Sequence, residues 1–177
     1  MESVTAERAT KKLLTMAFEL SQETLDTIDK VIPRYPQRQS ALMMILHAIQ
    51  KEKGYLSLEA QEWVAERLEI APIKVREVVT FYPFYREKPV GKHYIRVCRT
   101  LSCALNGSYK ICDRLCEELD TKPGEISPDG KATVEFAECL ASCGTAPVVM
   151  VGDDLYENLT EDDIVELARR IREEEIQ

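Results

Sequence analysis

The sequence predicts an α+β protein: an N-terminal helical bundle is followed by a small domain whose elements run in the order β-α-β-β-α. Two observations give this prediction. Apolar residues recur at helical spacing in four short segments between residues 18 and 85, with Pro or Gly between the segments. From residue 93 onwards, alternation of apolar and polar residues replaces that spacing. We therefore place an N-terminal arm at 1–17, the helical bundle at 18–85 and the sheet domain at 86–177.

Each helix of the bundle has a recognisable start or stop. Ser21 and Ser57 are predicted N-caps, because their hydroxyls can accept a hydrogen bond from the first helical turn. Pro72 suits the first position of the fourth helix, where its missing N–H costs nothing. Pro33 and Pro36 end the first helix, and Gly54 ends the second. These residues predict four short helices joined by tight turns.

The second domain is predicted to contain four strands and two helices. Its last helix starts at Thr160, where Asp163 three residues later completes a capping box. A parallel crossover, a hairpin and a closing helix together form thioredoxin-like topology, and Pro147 occupies the position where such folds often carry a cis proline. The predicted strands are 93–98, 133–139, 148–151 and 155–158, and the first helix is 108–119.

Four of the six cysteines stand in two close pairs. Cys98 and Cys103 are separated by four residues, Cys139 and Cys143 by three, and 35 residues lie between the pairs. We expect each pair to sit on a loop at the end of a strand, with the fold bringing the loops together. Four thiolates at this spacing suit a [2Fe–2S] cluster or, less well, a structural zinc ion. Buried free thiols paired by chance are the alternative.

The remaining chemistry-bearing residues carry weaker predictions. Cys112 and Cys116 lie four apart on a predicted helix, and we interpret them as packed or exposed free thiols. His47 lies in an apolar helix and is predicted to belong to the core, while His93 opens a strand and is interpreted as structural. A group of cations precedes or enters the first pair and has two interpretations, partner docking or solvated charge: Lys88, Lys92, Arg96 and Arg99.

Composition and charge exclude several classes of protein. A formal net charge of −8 argues against general nucleic-acid binding, which needs a basic face. No apolar run is long enough for a membrane span, and the first residues do not look like a secretory signal. The sequence shows no nucleophile paired with a base, no Gly-rich phosphate-binding loop and no dinucleotide-binding motif. These observations favour an electron carrier in a reducing compartment that depends on a partner for substrate chemistry.

Several longer motifs, read together, resemble a known family. From about residue 18 to 176 the chain resembles the thioredoxin-like [2Fe–2S] family, which supplies one subunit of bacterial NADH–quinone oxidoreductase, respiratory complex I. The Cys112 and Cys116 pair is not required by the family pattern. The resemblance is carried by VTFY at 79–82, PVGKH at 89–93, Cys98-x4-Cys103, NG at 106–107, KPGE at 122–125, PDG at 128–130 and CLASCGTAP at 139–147.

The resemblance implies a site, a cofactor and partners. One [2Fe–2S] cluster would be ligated by Cys98, Cys103, Cys139 and Cys143, and would exchange electrons with FMN off the main path to quinone. FMN and NAD(H) would be bound by an NADH-oxidising flavoprotein subunit, not by this chain. A large iron–sulfur subunit would be the other partner, in a peripheral arm on the cytoplasmic side of the membrane without direct membrane insertion. The chain would then be part of an NADH dehydrogenase and translocase.

Two alternatives to this interpretation remain open at the level of sequence. The same module occurs in the diaphorase part of NAD-linked hydrogenases and formate dehydrogenases, and nothing in the chain separates that role from complex I. A zinc-stabilised interaction domain is the alternative of a different class, and it would be colourless where a [2Fe–2S] protein is red-brown. A thioredoxin-like thiol oxidoreductase is disfavoured, since the C-x-x-C redox motif is absent.

Overall fold

A computed structural model of the chain describes residues 18–176. These residues form two compact units, the first ending at Pro89 and the second beginning at Val90. Each unit has a hydrophobic core of its own. The predicted N-terminal arm lies outside the described residues, and the domain limits derived from the sequence stay predictions.

The first unit consists of the four predicted helices, with short 3-10 turns at Ile32–Arg34 and Arg38–Ala41. Between them, the helices bury a core of aliphatic side chains from every helix. Helical periodicity, together with the Pro and Gly residues between the segments, was therefore sufficient to predict these helices. The helices are α1, Gln22–Val31; α2, Leu42–Lys53; α3, Leu58–Leu68; and α4, Pro72–Phe81.

The predicted helix boundaries of the first unit are confirmed. Ser21 and Ser57 are the N-caps of α1 and α3, and their hydroxyls accept hydrogen bonds from the N–H groups of Thr24 and Ala60. Pro72 is the first residue of α4. Gly54 ends α2 at φ +82°, a left-handed conformation that costs a residue with a Cβ about 1–2 kcal/mol. These contacts satisfy backbone groups that the helix ends leave unpaired.

His47 is not a core residue, contrary to the prediction. It lies on the exposed side of α2, because the buried face of this helix is formed by Leu42, Ile45, Leu46 and Ile49. Its ring instead stacks on Phe84, with the ring centroids 5.1 Å apart.

The second unit has the predicted β-α-β-β-α topology, with one additional short helix. Its sheet has the strand order β2-β1-β3-β4, in which β1 pairs parallel with β2 and antiparallel with β3. The thioredoxin-like arrangement is thus confirmed. The elements are β1, His93–Cys98; α5, Leu101–Leu105; α6, Ser108–Glu118; β2, Ala132–Ala137; β3, Val149–Val151; β4, Asp154–Tyr156; and α7, Glu161–Arg172.

Buried aliphatic residues of the central strand and of the two long helices form the core of the second unit. Ile95 and Val97 of β1 are fully buried, as are Leu115 of α6 and Ile164 of α7. The capping box predicted at Thr160 is present at the start of α7. Because β1 lies between β2 and β3, it is fixed on both sides, and the position of its last residue, Cys98, is well defined.

Gly91 lies where the chain enters β1 and approaches β2 closely. Its N–H donates to the Thr133 hydroxyl at 2.8 Å. A Cβ atom at this position would lie 2.5 Å from the backbone carbonyl carbon of Ala132. Only glycine fits at this approach.

No helix in the described part of the chain is long and apolar enough to cross a bilayer.

Candidate metal centre

The fold brings both cysteine pairs to one edge of the sheet. Cys98 is the last residue of β1 and is in register with Ala137, the last residue of the parallel strand β2. The carboxyl ends of parallel neighbours lie at the same edge, so the segments that follow them meet there. Cys103 follows the first strand and Cys139 the second.

The first pair does not sit on a loop, contrary to the prediction. Cys103 belongs to the short helix α5, which begins at Leu101, so part of the segment between the two cysteines is helical. The second pair does lie on irregular backbone: Cys139 follows β2 and Cys143 opens a 3-10 turn, Cys143–Thr145. The Ala146–Pro147 bond after this turn is cis, as the fold class predicts.

The four sulfurs form one group of two pairs. The sulfurs of Cys139 and Cys143 are 3.7 Å apart. Cys98 and Cys103 are buried together in one small apolar cluster. Leu140 and Ala146, from the loop of the second pair, pack against Cys98 and Cys103, so the two pairs lie side by side.

This pairwise geometry fits a two-metal centre. A tetrahedral metal with bonds of about 2.3 Å to sulfur separates two of its thiolates by roughly 3.7 Å, and that is the separation of the Cys139 and Cys143 sulfurs. A [2Fe–2S] cluster takes two thiolates on each iron, so two adjacent pairs suit it better than one four-thiolate zinc ion.

The two pairs differ in exposure. Cys98 and Cys103 are each 1% exposed and pack with Val148 in a small apolar cluster. Leu140 and Ala146 cover that cluster from the loop of the second pair. Cys139 and Cys143 are exposed. One side of the centre is therefore dry and the other faces solvent or a partner.

Hydrogen-bond donors are directed at the sulfurs. The Ala141 N–H donates to the Cys139 sulfur at 3.3 Å. The Thr100 hydroxyl lies 3.3 Å from the Cys98 sulfur, which also receives a backbone hydrogen bond from Leu140. Such donors stabilise an anionic sulfur that is partly removed from water. These donors make the site suitable for a metal cluster that is bound by thiolates.

The thiol pKa values differ within each pair. Burial raises the pKa of Cys98, but hydrogen bonds from Thr100, Leu140 and Cys103 outweigh it and bring that pKa below its ordinary value. Burial and its bond to Cys98 raise the pKa of Cys103 to about 11. In the second pair, the Ala141 N–H lowers the pKa of Cys139, while the bond to Cys139 raises the pKa of Cys143. In each pair, one sulfur thus resembles a thiolate that accepts a hydrogen bond from the S–H group of the other.

Cys112 and Cys116 lie apart from this group. Both are free thiols on the inner face of α6, and both are buried in the core of the second unit. Burial raises the pKa of both thiols, that of Cys112 to about 12. A neutral buried thiol behaves as a small apolar side chain.

Three of the four cations singled out in the sequence, Lys92, Arg96 and Arg99, each contact a different group. Lys92 pairs with Glu174 at 2.7 Å, and Arg96 donates to the Gly152 carbonyl at 3.1 Å. Arg99, directly after Cys98, pairs with Glu138, directly before Cys139, at 2.6 Å. Near the cysteines, the positive charge of Arg99 is therefore balanced by a carboxylate.

Sequence reasoning missed the hydrogen bonds that join three polar residues beside the second pair. The hydroxyls of Ser142 and Thr145 both donate to Oε1 of Glu157. The hydroxyls also lie 2.8 Å from each other. Since Glu157 is 12 and 15 residues away from its partners, no local sequence pattern could have connected them.

A β-α-β-β-α domain with four thiols gathered at the carboxyl edge of its parallel strands belongs to the class of thioredoxin-fold metalloproteins. The profile of the thioredoxin-like [2Fe–2S] ferredoxin family matches residues 28–172, and the chain belongs to that family. The cofactor of the family is one [2Fe–2S] cluster.

Curated relatives lie in NADH-linked enzymes. The chain is 40% identical over 133 residues to NADH-quinone oxidoreductase subunit 2 of Thermus thermophilus, covering 74% of each chain. It is 36% identical over 158 residues to the mitochondrial NADH dehydrogenase [ubiquinone] flavoprotein 2 of Dictyostelium discoideum, covering 88% of this chain and 64% of the relative. The chain thus spans less than two thirds of that second protein.

Hydrogenases also contain related chains. NADP-reducing hydrogenase subunit HndA of Solidesulfovibrio fructosivorans is 35% identical over 141 residues, with 80% of this chain and 82% of the relative covered. The crystal structure of an NAD+-reducing [NiFe]-hydrogenase in the air-oxidised state matches with a TM-score of 0.66 at 19% identity. That match covers 76% of this chain and 23% of the hydrogenase chain, and it shows the fold.

Proposed function

We propose that this chain is the electron-transfer subunit of an NADH–quinone oxidoreductase and carries one [2Fe–2S] cluster that exchanges electrons with the FMN of a partner subunit. The names of its relatives in Thermus thermophilus and Dictyostelium discoideum support the enzyme complex. In such a complex the chain is a subunit of an oxidoreductase and needs no substrate site of its own.

The ligands we propose are Cys98, Cys103, Cys139 and Cys143. The observation that carries this assignment is the pairwise meeting of their sulfurs at the carboxyl edge of β1 and β2. We assign one iron to each pair, because the sulfurs of Cys139 and Cys143 lie 3.7 Å apart and Cys98 packs with Cys103 in a separate buried cluster. Cys112 and Cys116 are excluded as ligands because α6 places both in the core of the second unit.

A bound cluster supplies reversible one-electron chemistry, with a net charge of about −2 when oxidised and about −3 when reduced. The chain holds this charge with few compensating cations. The Ala141 N–H and the Thr100 hydroxyl direct positive dipole ends at the sulfurs. The apolar cover of Leu140 and Ala146 excludes water from the inner pair. Arg99 contributes little positive charge, because Glu138 balances it.

The partners in this proposal are an FMN- and NADH-binding flavoprotein subunit and a large iron–sulfur subunit, in a peripheral arm on the cytoplasmic side of the membrane. FMN and NAD(H) are bound by the flavoprotein. A second candidate is the diaphorase part of an NAD(P)-linked hydrogenase, favoured by the 35% identity to subunit HndA. Purifying the tagged chain from its native host and identifying the flavoprotein that accompanies it separates these two assignments.

The ligand set is tested by replacing each of the six cysteines by Ser in turn. Iron, acid-labile sulfide and the EPR spectrum of the reduced protein are then measured. We expect loss or strong alteration of the cluster for the four proposed ligands and native iron content for Cys112→Ser and Cys116→Ser. A colourless native protein that contains zinc would refute the electron-transfer proposal.

A further inference from the structure

The loop of the second cysteine pair is packed at Leu140 and Ala146, but its two cysteines are exposed. Cys139, Ala141, Cys143 and Gly144 are all exposed, so apolar burial does not hold this part of the loop in place. Ala141 even adopts a left-handed conformation, φ +63°, which disfavours residues with a Cβ. A polar interaction therefore adds to the packing of Leu140 and Ala146 in fixing the positions of the two exposed sulfurs.

Glu157, directly after β4, supplies that interaction. One of its carboxylate oxygens accepts hydrogen bonds from the hydroxyls of both Ser142 and Thr145, the residues on either side of the Cys143–Gly144 step. The same two hydrogen bonds hold the pKa of Glu157 below its usual range. A carboxylate that receives two donors binds them more strongly than a neutral acceptor.

Backbone hydrogen bonds extend this connection to the β4–α7 segment. The Asn158 N–H donates to the Thr145 carbonyl at 2.7 Å, and the Leu159 N–H donates to the Pro147 carbonyl at 3.3 Å. Glu157 therefore lies at the start of a short ladder between residues 157–159 and 142–147. Through β4, that ladder connects the loop to the hairpin of the sheet.

We propose that Glu157 is a positioning residue for the [2Fe–2S] centre: its carboxylate anchors the loop of Cys139 and Cys143, and its charge lowers the cluster's reduction potential. This inference rests on the ligand set of the proposed function. The anchoring follows from the two hydroxyl contacts. The effect on potential follows because a nearby negative charge disfavours adding an electron to an anionic centre.

Three variants of the cluster-loaded full chain separate anchoring from charge. Glu157→Gln keeps an oxygen that accepts from both hydroxyls but removes the charge. Glu157→Ala removes both. Asp153→Asn is the matched control, because it removes a charge from an exposed residue at the opposite end of the same hairpin.

Two measurements are made on each variant: the rate at which a strong iron chelator removes iron, and the midpoint potential by redox titration followed by EPR. We expect Glu157→Ala to lose iron about tenfold faster, the size associated with losing hydrogen bonds to a charged group. Glu157→Gln should lose iron at a rate between those of the native protein and Glu157→Ala, because its neutral amide oxygen accepts from both hydroxyls more weakly than a carboxylate does. Its potential should be higher than that of the native and Asp153→Asn proteins.

The inference is overturned if Glu157→Ala releases iron at the native rate, or if Glu157→Gln and Asp153→Asn have the same potential. If Glu157→Ala does not fold, Ser142→Ala replaces it, with the same expectation of faster release and the same refutation by a native rate.

A third measurement keeps this inference separate from the proposed function. In the cluster-free chain, hydrogen exchange of the Thr145 and Asn158 amides reports the loop anchor directly. Faster exchange in Glu157→Ala than in Asp153→Asn supports the anchor even if the native chain were found to hold no [2Fe–2S] cluster. Equal exchange in the two variants overturns it.

Discussion

At the scale of single residues, Gly91 gives the sharpest test of the fold. We expect Gly91→Ala to destabilise the second unit by about 3 kcal/mol, since the new Cβ meets the rigid backbone of β2 rather than a side chain that can move. Gly124→Ala is the control: its φ of +82° costs about 1 kcal/mol, but nothing lies within 4 Å of an added Cβ. Urea unfolding measures both variants, and equal losses would contradict the close approach described for Gly91.

The inner thiols of α6 give a second prediction at this scale. Cys112→Ser and Cys116→Ser should each destabilise the protein by about 1–3 kcal/mol, because a hydroxyl replaces a nearly apolar group in the core. Cys112→Ala should cost less, since it introduces no polar atom. Thermal unfolding gives the stability differences, and a larger loss for Ala than for Ser at position 112 would show that packing volume dominates.

Individual residues were predicted well where the pattern that marks them is local in sequence. The caps at Ser21, Ser57 and Thr160 were recognisable because a cap and its partner lie three residues apart. His47 was misplaced, although its phase on α2 relative to Ile45 and Ile49 could have shown that it faces outwards. Glu157 could not have been found, because its role arises only when the hairpin brings it to the second cysteine loop.

At the scale of elements, α1 and α2 are joined by a carboxylate. Glu52, near the end of α2, accepts hydrogen bonds from both the N–H and the hydroxyl of Ser21, the N-cap of α1. Hydrogen bonds from Thr24, Lys53 and Ser21 lower the pKa of Glu52 from 4.5 to about 2. Because the folded pKa is the lower one, this stabilisation is present above pH 4.5 and is lost as the pH falls towards 2.

Glu52→Gln should therefore destabilise the helical unit by about 0.5–1 kcal/mol at pH 7, an amount limited by solvent screening. The difference from the native protein should shrink as the pH falls below 4.5. Trp63, the single tryptophan of the chain, lies in α3, so its fluorescence reports unfolding of this unit. Glu66→Gln, at an exposed position of α3, is the control. A difference that stays constant with pH would show that Glu52 acts through shape and not through charge.

Most elements were predictable to within one or two residues, and α5 was the exception. Strand β1 was predicted with the observed limits, and β2 begins one residue earlier than expected. Helix α5 spans only Leu101–Leu105, which is too short to show a period of 3.6 residues. Both of its leucines are exposed, so no apolar stripe marks it. The spacing of Cys98 and Cys103 therefore appeared to be that of a loop.

At the scale of the whole molecule, the two separate cores predict that the second unit can fold alone. A chain beginning at Val90 keeps all four strands, helices α5 to α7 and all six cysteines. We expect it to retain native iron content and cooperative unfolding. We also expect it to bind the flavoprotein partner more weakly, since the helical unit carries no chemistry and is available for docking. Undiminished affinity for the partner would contradict a docking role for the helices.

The unequal exposure of the two cysteine pairs also sets the order in which the cluster-free chain reacts with alkylating reagents. Cys139 is exposed and its lowered pKa favours the reactive thiolate, so iodoacetamide should modify it first. Cys143 is exposed but has a raised pKa and should follow more slowly. The buried thiols should react only when the second unit opens. Peptide mass spectrometry over a time course would show this sequence, and oxidants, which attack the same thiolate form, should reach the cysteines in the same order.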